Sequence, residues 1–158
     1  MEPKVFEGDF SASGAKVAIV VTRWNSFITE RLKEGALDVL RRHGITSDNV
    51  HIAYCPGAYE IPLTVTSLLK TGNYDGVIAL GTVIRGATPH FDYVCSAVNS
   101  GIQQAIQTYE KPVGFGVLTT DTIDQAIERA GTKAGNKGEE TAMAVLEMIS
   151  LQKKILAG

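Results

Sequence analysis

Short runs of apolar residues recur along the chain, separated by longer stretches in which apolar and polar residues alternate at helical spacing. A continuous apolar run of this length is typical of a strand that is buried on both faces of a parallel sheet. The runs at residues 16–22, 50–55, 77–80 and 113–118 are therefore predicted to be four strands.

The stretches between the strands predict amphipathic helices, whose ends are marked by particular residue types. Asn25 or Ser26 suits the N-cap of the first helix, and Gly44 suits the position just after its last turn. Pro89 suits the first turn of the third helix, because it lacks an N–H group that would be unpaired there. The predicted helices cover about residues 28–43, 61–70, 91–109, 123–130 and 139–156.

The alternation of strands with helices predicts one α/β domain over residues 1–158. Right-handed crossovers place helices on both faces of a parallel sheet, so we expect a three-layer α/β/α sandwich, flavodoxin-like, with a four-stranded parallel sheet. Residues 1–14 stand apart, because they mix glycine, serine and charged residues and are too polar for a core strand. We expect this N-terminal arm either to fray or to join a neighbouring subunit as an edge strand.

Charge and composition exclude several classes of partner. The chain has 15 basic and 17 acidic residues and no basic run, which argues against nucleic acid or an anionic membrane as a partner. No apolar run approaches the roughly 20 residues of a membrane span, and the first ten residues lack a signal pattern, so a cytoplasmic protein is expected. Cys55 and Cys95 have no metal-ligand spacing and the three histidines are scattered, so we expect neither a disulfide nor a metal site.

The stretch with the most chemistry joins the third strand to the third helix. Gly81 and Gly86 are predicted to bracket a turn that leads into the helix. Backbone N–H groups at a helix start carry partial positive charge, so the turn suits a phosphate. His90 would stand at the same helix start, where an imidazole can exchange a proton near neutral pH. A strand–turn–helix junction with one histidine is also common as a purely structural feature, so the motif alone leaves both interpretations open.

Unusual side chains follow the other predicted strands as well. Ligands of open parallel sheets bind beyond the carboxyl ends of the strands, so Trp24, Asn25 and residues 58–60 are expected at the same edge as His90. Trp24 would serve equally well as an apolar cover over the sheet, and Glu60 taken alone more simply favours a helix dipole. The chemical interpretation depends on all of these groups meeting at one edge.

Three further residues are less clearly placed by the local sequence. Phe115 lies between two glycines of the fourth strand, and such glycines often mark the close approach of a ligand or another backbone, so it too is expected near that edge. Arg129 and Lys137 flank the glycine-rich segment 131–138, which follows no strand and lacks the spacing of a nucleotide-binding loop. The local sequence alone favours a position for these two residues at solvent-exposed helix ends.

Five motifs in order resemble the lumazine synthase family over about residues 16–150. They are Arg-Trp-Asn at 23–25, Pro-Gly-Ala-Tyr-Glu-Ile-Pro at 56–62, Ala-Leu-Gly-Thr-Val-Ile-Arg-Gly-Ala-Thr-Pro-His-Phe-Asp-Tyr at 79–93, Pro-Val-Gly-Phe-Gly-Val-Leu-Thr-Thr at 112–120, and the segment 129–139. The resemblance implies condensation of 5-amino-6-(D-ribitylamino)uracil with 3,4-dihydroxy-2-butanone 4-phosphate to 6,7-dimethyl-8-ribityllumazine, the penultimate step of riboflavin biosynthesis, without cofactor or metal. The alternative is a non-catalytic flavin-binding cage protein of the same fold.

The resemblance also implies roles for individual residues. His90 would be the acid/base, and Gly86, Ala87, Thr88 and Arg129 would hold the phosphate of the butanone. The residues that would hold the ribitylaminouracil are Trp24, Asn25, Ala58, Tyr59, Glu60, Thr82, Val83, Ile84, Phe115 and Lys137.

Assembly follows from the same resemblance. In the family, Phe115, Arg129 and Lys137 come from the adjacent subunit, so a homopentamer is implied, together with a 60-subunit shell of twelve pentamers and riboflavin synthase as a further partner. Trp24 stands where the family usually has phenylalanine. Because an indole offers a larger stacking face, we predict that it retains product or riboflavin more tightly.

Overall fold

The structure, a computed structural model, describes residues 1–132 and 134–158. Its strands are β1 (Val17–Thr22), β2 (Val50–Cys55), β3 (Gly76–Ile84), β4 (Val113–Thr120), β5 (Ala130–Thr132) and β6 (Gly135–Asn136). Its helices are α1 (Ser26–Arg42), α2 (Ile61–Lys70), α3 (His90–Tyr109), α4 (Ile123–Glu128) and α5 (Lys137–Ala157). Short 3₁₀ turns at Ser47–Asn49 and Ala58–Glu60 precede β2 and α2. Within this described part, none of the helices combines the length and the apolar character that crossing a membrane requires.

Strands β1 to β4 form one parallel sheet in the order β2-β1-β3-β4. Because side chains alternate between the faces of a strand, each strand contributes to two apolar layers. On one face Ile19 and Leu80 pack with residues of α1, α4 and α5, and on the other Val20 and Ala79 pack with residues of α2 and α3. The predicted three-layer, flavodoxin-like sandwich with a four-stranded parallel sheet is confirmed.

β1 is buried along its whole length, because it pairs with strands on both sides and is covered by helices on both faces. Ile19 at its centre is fully buried, and truncating such a side chain to alanine typically costs about 2–5 kcal/mol. The apolar run of β1 therefore serves the core, and the residues that follow it are the ones available for chemistry.

β3 is longer than predicted, and the prediction that Gly81 begins a turn is wrong. Gly81 lies inside β3 and pairs with Val117 of β4. A Cβ at this position would lie 3.1 Å from Cγ2 of Thr22 and 3.2 Å from Cδ1 of Ile61. The glycine therefore allows β3 to pack closely against β1 and α2, and the turn begins only at Arg85.

The segment after α4 also differs from its prediction. The predicted helix 123–130 ends at Glu128, and the predicted break at 131–138 contains an antiparallel ribbon of β5 and β6. α5 begins two residues earlier than predicted, because Oδ1 of Asn136 accepts hydrogen bonds from the backbone N–H groups of Gly138 (2.8 Å) and Glu139 (3.2 Å). Lys133, inside the predicted break, lies outside the described residues.

The N-terminal arm, residues 1–14, contains no helix or strand and lies along α5 of its own chain. Nζ of Lys154 donates to the carbonyl of Glu7 (2.9 Å) and to the carboxylate of Asp9 (3.0 Å). The N–H of Asp9 donates to the hydroxyl of Ser150 (3.1 Å). Hydrogen bonds from the Ser11 backbone and from Lys154 lower the pKa of the Asp9 carboxyl. Pairing of this arm with a neighbouring subunit stays a prediction.

Candidate active site

The loop after β1 presents Trp24 at the carboxyl edge of the sheet. The backbone N–H groups of Arg23 and Trp24 donate to the carbonyls of Cys55 (2.9 Å) and Pro56 (3.0 Å), so the loop continues the pairing of β1 with β2. The indole lies against Gly57, where a Cβ would come within 2.3 Å of the ring. Because 63 % of Trp24 is exposed, the ring is seated on one side and open to a flat ligand on the rest of its surface.

Asn25 begins α1 in a left-handed backbone conformation, with φ 61° and ψ 44°. Its side chain makes no capping hydrogen bond, so the predicted N-cap position is confirmed but the capping bond is not. Instead its carbonyl accepts from the N–H groups of Ile28 (2.9 Å) and Thr29 (3.2 Å), and the Thr29 hydroxyl donates to the carbonyl of Thr22 (2.7 Å). Residues other than glycine adopt this conformation at a cost, and they cluster at functional sites.

The 3₁₀ turn at Ala58–Glu60 lies beside Trp24, since Gly57 connects the two. Ala58 is buried in the layer of α2 and α3, whereas Tyr59 is 62 % exposed. Glu60 is half-buried, and its carbonyl accepts from the hydroxyl of Thr64 in α2 (2.9 Å). The turn thus offers an aromatic ring and a carboxylate at the edge while its backbone is fixed to α2.

Cys55 precedes this turn and takes no part in the site. The thiol is buried, and this burial raises its pKa, so little of it is thiolate at neutral pH. The sequence interpretation of Cys55 as a core thiol agrees with this position. Cys95 is only half-buried, so it is less of a core residue than predicted.

The end of β3 leads into the predicted phosphate turn. Thr82 is buried and its hydroxyl has no hydrogen-bond partner among the described residues, while Val83 and Ile84 are half-buried. The turn at residues 86–88 is exposed, and its N–H groups make no hydrogen bond within the described chain. His90 is exposed at the first position of α3, with Pro89 at the N-cap.

Arg85 lies between β3 and this turn, and its guanidinium has several partners within the chain. Nε donates to Oδ1 of Asp121 (2.8 Å), and Nη1 lies 3.7 Å from Oδ1 of Asp92. The guanidinium also stacks on the ring of Phe91, 4.3 Å from its centroid. The hydrogen bond to Asp121 raises the pKa of Arg85.

Arg129 and Lys137 are neighbours in space, although eight positions separate them. The N–H of Lys137 donates to the carbonyl of Arg129 (2.8 Å) across the base of the β5–β6 ribbon. Nδ2 of Asn136 donates to the carbonyl of Arg31 in α1 (3.1 Å), which ties the ribbon to that helix. The two residues thus lie at the end of α4 and at the start of α5, and their backbones are joined across the ribbon between them.

The ribbon lies in a different layer of the sandwich from two parts of the carboxyl edge, the turn at residues 58–60 and the start of α3. Ala126 and Ala130, on either side of Arg129, pack in the layer of α1 and α5. Ala58 and Val94, beside Tyr59 and in the first turns of α3, pack in the layer of α2 and α3. One chain thus carries two separate groups of predicted site residues.

Phe115 is also apart from the carboxyl edge, so the prediction that it lies near that edge is wrong. It is the third residue of β4 and pairs with Ala79, five residues and about 16 Å before the end of the strand at Thr120. The flanking glycines serve packing, since a Cβ at Gly114 would lie 2.5 Å from Cγ2 of Thr141. Phe115 itself is 37 % exposed on this edge strand, where it is available to another molecule.

Taken together, the carboxyl-edge group combines an open aromatic surface, unpaired N–H groups for an anion, and an imidazole. Such a set can bind a flat ring beside a phosphate and move protons between them. No cluster of three or more His, Cys, Asp or Glu placed to hold a metal ion occurs in residues 1–132 and 134–158. The aromatic surface, the N–H groups and the imidazole favour organic acid–base chemistry by the protein's own side chains.

Sequence reasoning missed three features that build the site, formed by four residues. Gly57 provides the seat for the Trp24 ring, the pair of Arg85 and Asp121 joins two strand ends, and Asn136 caps α5 while holding the ribbon. An asparagine directly before a helical stretch is a recognisable capping signal, so Asn136 was open to prediction. The other two depend on contacts between distant parts of the chain.

The family model described as 6,7-dimethyl-8-ribityllumazine synthase matches residues 14–153. The chain belongs to this family. The match begins where the N-terminal arm ends and includes every predicted site residue from Trp24 to Lys137. The resemblance to lumazine synthases drawn from five motifs is thereby confirmed, and membership in the family implies a transferase of riboflavin biosynthesis with lumazine synthase activity.

Proposed function

We propose that this lumazine synthase condenses 5-amino-6-(D-ribitylamino)uracil with 3,4-dihydroxy-2-butanone 4-phosphate and releases 6,7-dimethyl-8-ribityllumazine, inorganic phosphate and water. The observation that carries the proposal is the position of His90, directly after an exposed turn whose N–H groups make no hydrogen bond within the described chain. Such N–H groups, at residues 86–88 before a helix, attract a phosphate. An imidazole two residues further along can transfer protons to the substrate carbons beside that phosphate.

The pyrimidine substrate binds, in this proposal, between the first two strand exits. The open face of Trp24 stacks on the ring, and the turn of Ala58, Tyr59 and Glu60 borders it. The end of β3 at Thr82, Val83 and Ile84 lies between these groups and the phosphate turn, which suits the ring edge and the ribityl chain. The exposed amide of Asn25 adds a hydrogen-bonding group at the same edge.

The reaction needs several proton transfers, and His90 is placed to assist them. The 5-amino group of the pyrimidine adds to the ketone of the butanone, and water leaves to form an imine. A proton is then removed from carbon and phosphate leaves by elimination. The enol left by this elimination tautomerises to a ketone on the carbon that carried the hydroxyl. The ribityl-bearing amine finally adds to this new carbonyl, and a second water leaves as the ring closes. A positioned imidazole typically contributes about 10²–10⁴-fold to such steps.

The remaining groups come from the neighbouring subunit in this proposal. Arg129 and Lys137 of one chain, carried by the ribbon, and Phe115, exposed on its edge strand, complete the site of the next chain. The guanidinium of Arg129 adds the charged partner that a departing phosphate needs. The proposed assembly is a homopentamer, twelve of which close into a 60-subunit shell that also receives riboflavin synthase. The proposed location is the cytoplasm.

Most of the rate acceleration is expected from holding the two substrates in reacting geometry. No cofactor or metal takes part in the proposed reaction. The side chains named above bind, orient and exchange protons with substrates that already carry the reactive amine and ketone.

The decisive experiment mixes the two substrates with the purified protein and follows the absorbance of the lumazine product. Appearance of product, with release of one phosphate per product, supports the proposal. A non-catalytic flavin-binding cage protein would bind riboflavin and give no absorbance change. Dilution to the point where the assembly dissociates, followed by size-exclusion chromatography, should abolish turnover if the site is shared, and a persistent activity of the monomer would contradict the sharing.

A further inference from the structure

The phosphate turn is held to the rest of the chain mainly at its two ends. Before it, the N–H of Arg85 donates to the carbonyl of Thr120 (2.8 Å), which continues the pairing of β3 with β4. After it, the N–H of Asp92 donates to the carbonyl of Pro89 (3.2 Å) within the first turn of α3. In between, the backbone of residues 86–88 has no hydrogen bond within the described part of the chain. Its position relative to the sheet therefore depends on the side chains that flank it.

Arg85 is the side chain that spans this turn. Its guanidinium reaches the loop after β4 through Asp121 (2.8 Å) and the first turn of α3 through Asp92 (3.7 Å). Its flat face covers the ring of Phe91, the residue next to His90. One planar group thus joins three elements around the turn: the end of β3, the loop after β4 and the start of α3.

The loop after β4, whose Asp121 accepts the hydrogen bond from Arg85, is itself held by hydrogen bonds. The N–H of Asp121 donates to Oε1 of Gln125 (2.8 Å), and the hydroxyl of Thr122 accepts from the N–H of Gln125 (3.1 Å) as the N-cap of α4. The hydroxyl of Thr120 donates to the carbonyl of Thr122 (2.9 Å). The backbone of Asp121 is therefore fixed, and a hydrogen bond to its carboxylate restrains the residues on the other side.

We propose that Arg85 is a positioning residue that sets the phosphate turn and His90 in reacting geometry, and that it does not bind the phosphate itself. This inference rests on the proposed function, because it assigns the turn to the phosphate of the butanone substrate. The guanidinium is already engaged by two carboxylates and an aromatic ring. Turning it toward a ligand would break the bond to Asp121 and expose that carboxylate to the phosphate.

Two rival roles for Arg85 make different predictions. If Arg85 bound the phosphate directly, or acted only through its charge, then removing the carboxylate of Asp121 would strengthen phosphate binding, because a nearby negative charge would be lost. If Arg85 positions the turn, removing the same carboxylate weakens phosphate binding, because the anchor is lost. The sign of the effect of Asp121→Ala therefore separates the roles.

The test compares Arg85→Gln and Asp121→Ala with wild type in the assembled enzyme. Both variants should raise the KM for the butanone phosphate, and the inhibition constant of inorganic phosphate, by about tenfold, since a small displacement of a positioned group costs this much or more. The KM for the pyrimidine should change little. The double variant should raise these two constants no further than either single variant does, because both changes break the same contact.

Asp124→Ala is the matched control, because Asp124 is an exposed carboxylate in the first turn of α4 and has no hydrogen bond or ion pair within the described chain. It removes one negative charge near the same loop and leaves the contact of Arg85 intact. Thermal unfolding of all variants excludes loss of fold as the cause. The inference is overturned if Asp121→Ala binds inorganic phosphate more tightly than the wild type does. It is also overturned if the KM and inhibition constant of Asp121→Ala equal those of Asp124→Ala. Absence of turnover and of phosphate inhibition in the wild type would instead overturn the proposed function.

Discussion

The carboxyl-edge group and the β5–β6 ribbon carry site residues in opposite ways. At the carboxyl edge, Trp24, Tyr59 and His90 are exposed side chains on short turns that the ends of three parallel strands bring together. On either side of the ribbon, Arg129 and Lys137 are held by a backbone hydrogen bond between them and by the hydrogen bonds of Asn136 to α1 and α5. The first group forms an open half-pocket, and the second places two cationic residues on either side of the ribbon.

This difference follows from how each group is connected to the sheet. A parallel sheet gathers the groups that follow its strands, because all its carboxyl ends lie at one edge. The ribbon follows a helix and not a strand, so the topology carries it to the layer of α1 and α5. If two copies lay side by side, Arg129 and Lys137 of one chain could complete the carboxyl-edge group of the next. This is the basis of the shared site proposed above.

The largest expected effect is a loss of kcat when His90, in the carboxyl-edge group, is replaced. His90→Ala should lower kcat by about 10²–10⁴-fold, because proton transfers then depend on water, and detectable activity should remain because the substrates are still held together. Steady-state kinetics with both substrates measures the change. His51→Ala, at an exposed histidine of β2 outside the site, is the control and should keep wild-type kcat. A His90→Ala variant with wild-type kcat would remove His90 from the mechanism.

The second largest expected effect is a recovery of activity in mixed assemblies, which tests whether His90 of one chain and Arg129 of its neighbour form one site. His90→Ala and Arg129→Ala, each nearly inactive alone, should regain activity when their subunits are mixed during assembly. In a ring with random order, about one quarter of the sites would combine an intact edge with an intact ribbon. Each variant disassembled and reassembled alone provides the baseline. A mixture no more active than that baseline would show that both halves act within one chain.

A smaller effect is expected from loosening the ribbon. Asn136→Ala removes the N-cap of α5 and the bond to Arg31, which should lower the free energy of unfolding by about 1 kcal/mol. It should also raise the KM for the butanone phosphate, because Arg129 and Lys137 lose their support. Asn136→Asp keeps the capping oxygen and loses only the donor to Arg31, so it should recover most of the stability. Loss of stability with an unchanged KM would mean that the cap supports the helix and not the site.

The smallest effect concerns the aromatic at the first strand exit. Trp24→Phe should weaken riboflavin binding by about two- to tenfold, because the smaller ring offers less stacking surface. Titration of riboflavin fluorescence against wild type and variant measures the difference. Tyr59→Phe keeps the neighbouring ring and should bind riboflavin like the wild type. Equal quenching by wild type and Trp24→Phe would contradict a special role for the indole.

Much of the fold was predictable because local patterns and tertiary structure agree. The apolar run of β1 and the stop at Gly72 after α2 reflect burial and backbone conformation that the local residues dictate. The turn with His90 was predictable for the same reason, since a strand end, a glycine and a proline lie in succession. Residues 86–90 could be assigned to chemistry without knowing what packs around them.

Other features depend on contacts that no local pattern reports. Gly81 looks like a turn residue until the proximity of Thr22 and Ile61 shows that it serves packing within β3. Phe115 between two glycines looks like a site at a strand end until its pairing with Ala79 places it far from that end. In both cases a glycine has the same local signature whether it serves a turn, a ligand or a neighbouring side chain.

By itself, the sequence determined the order and type of the main elements, the parallel sheet and the residues able to do chemistry, because burial period and residue type are properties of neighbours along the chain. The tertiary structure alone decided which of those residues meet. It brought Trp24 to Gly57, tied Arg85 to Asp121, and placed Arg129 beside Lys137 but on the layer opposite Ala58. Such contacts arise only when strands and helices pack, because the partners are separated by many residues and no local preference encodes their distance.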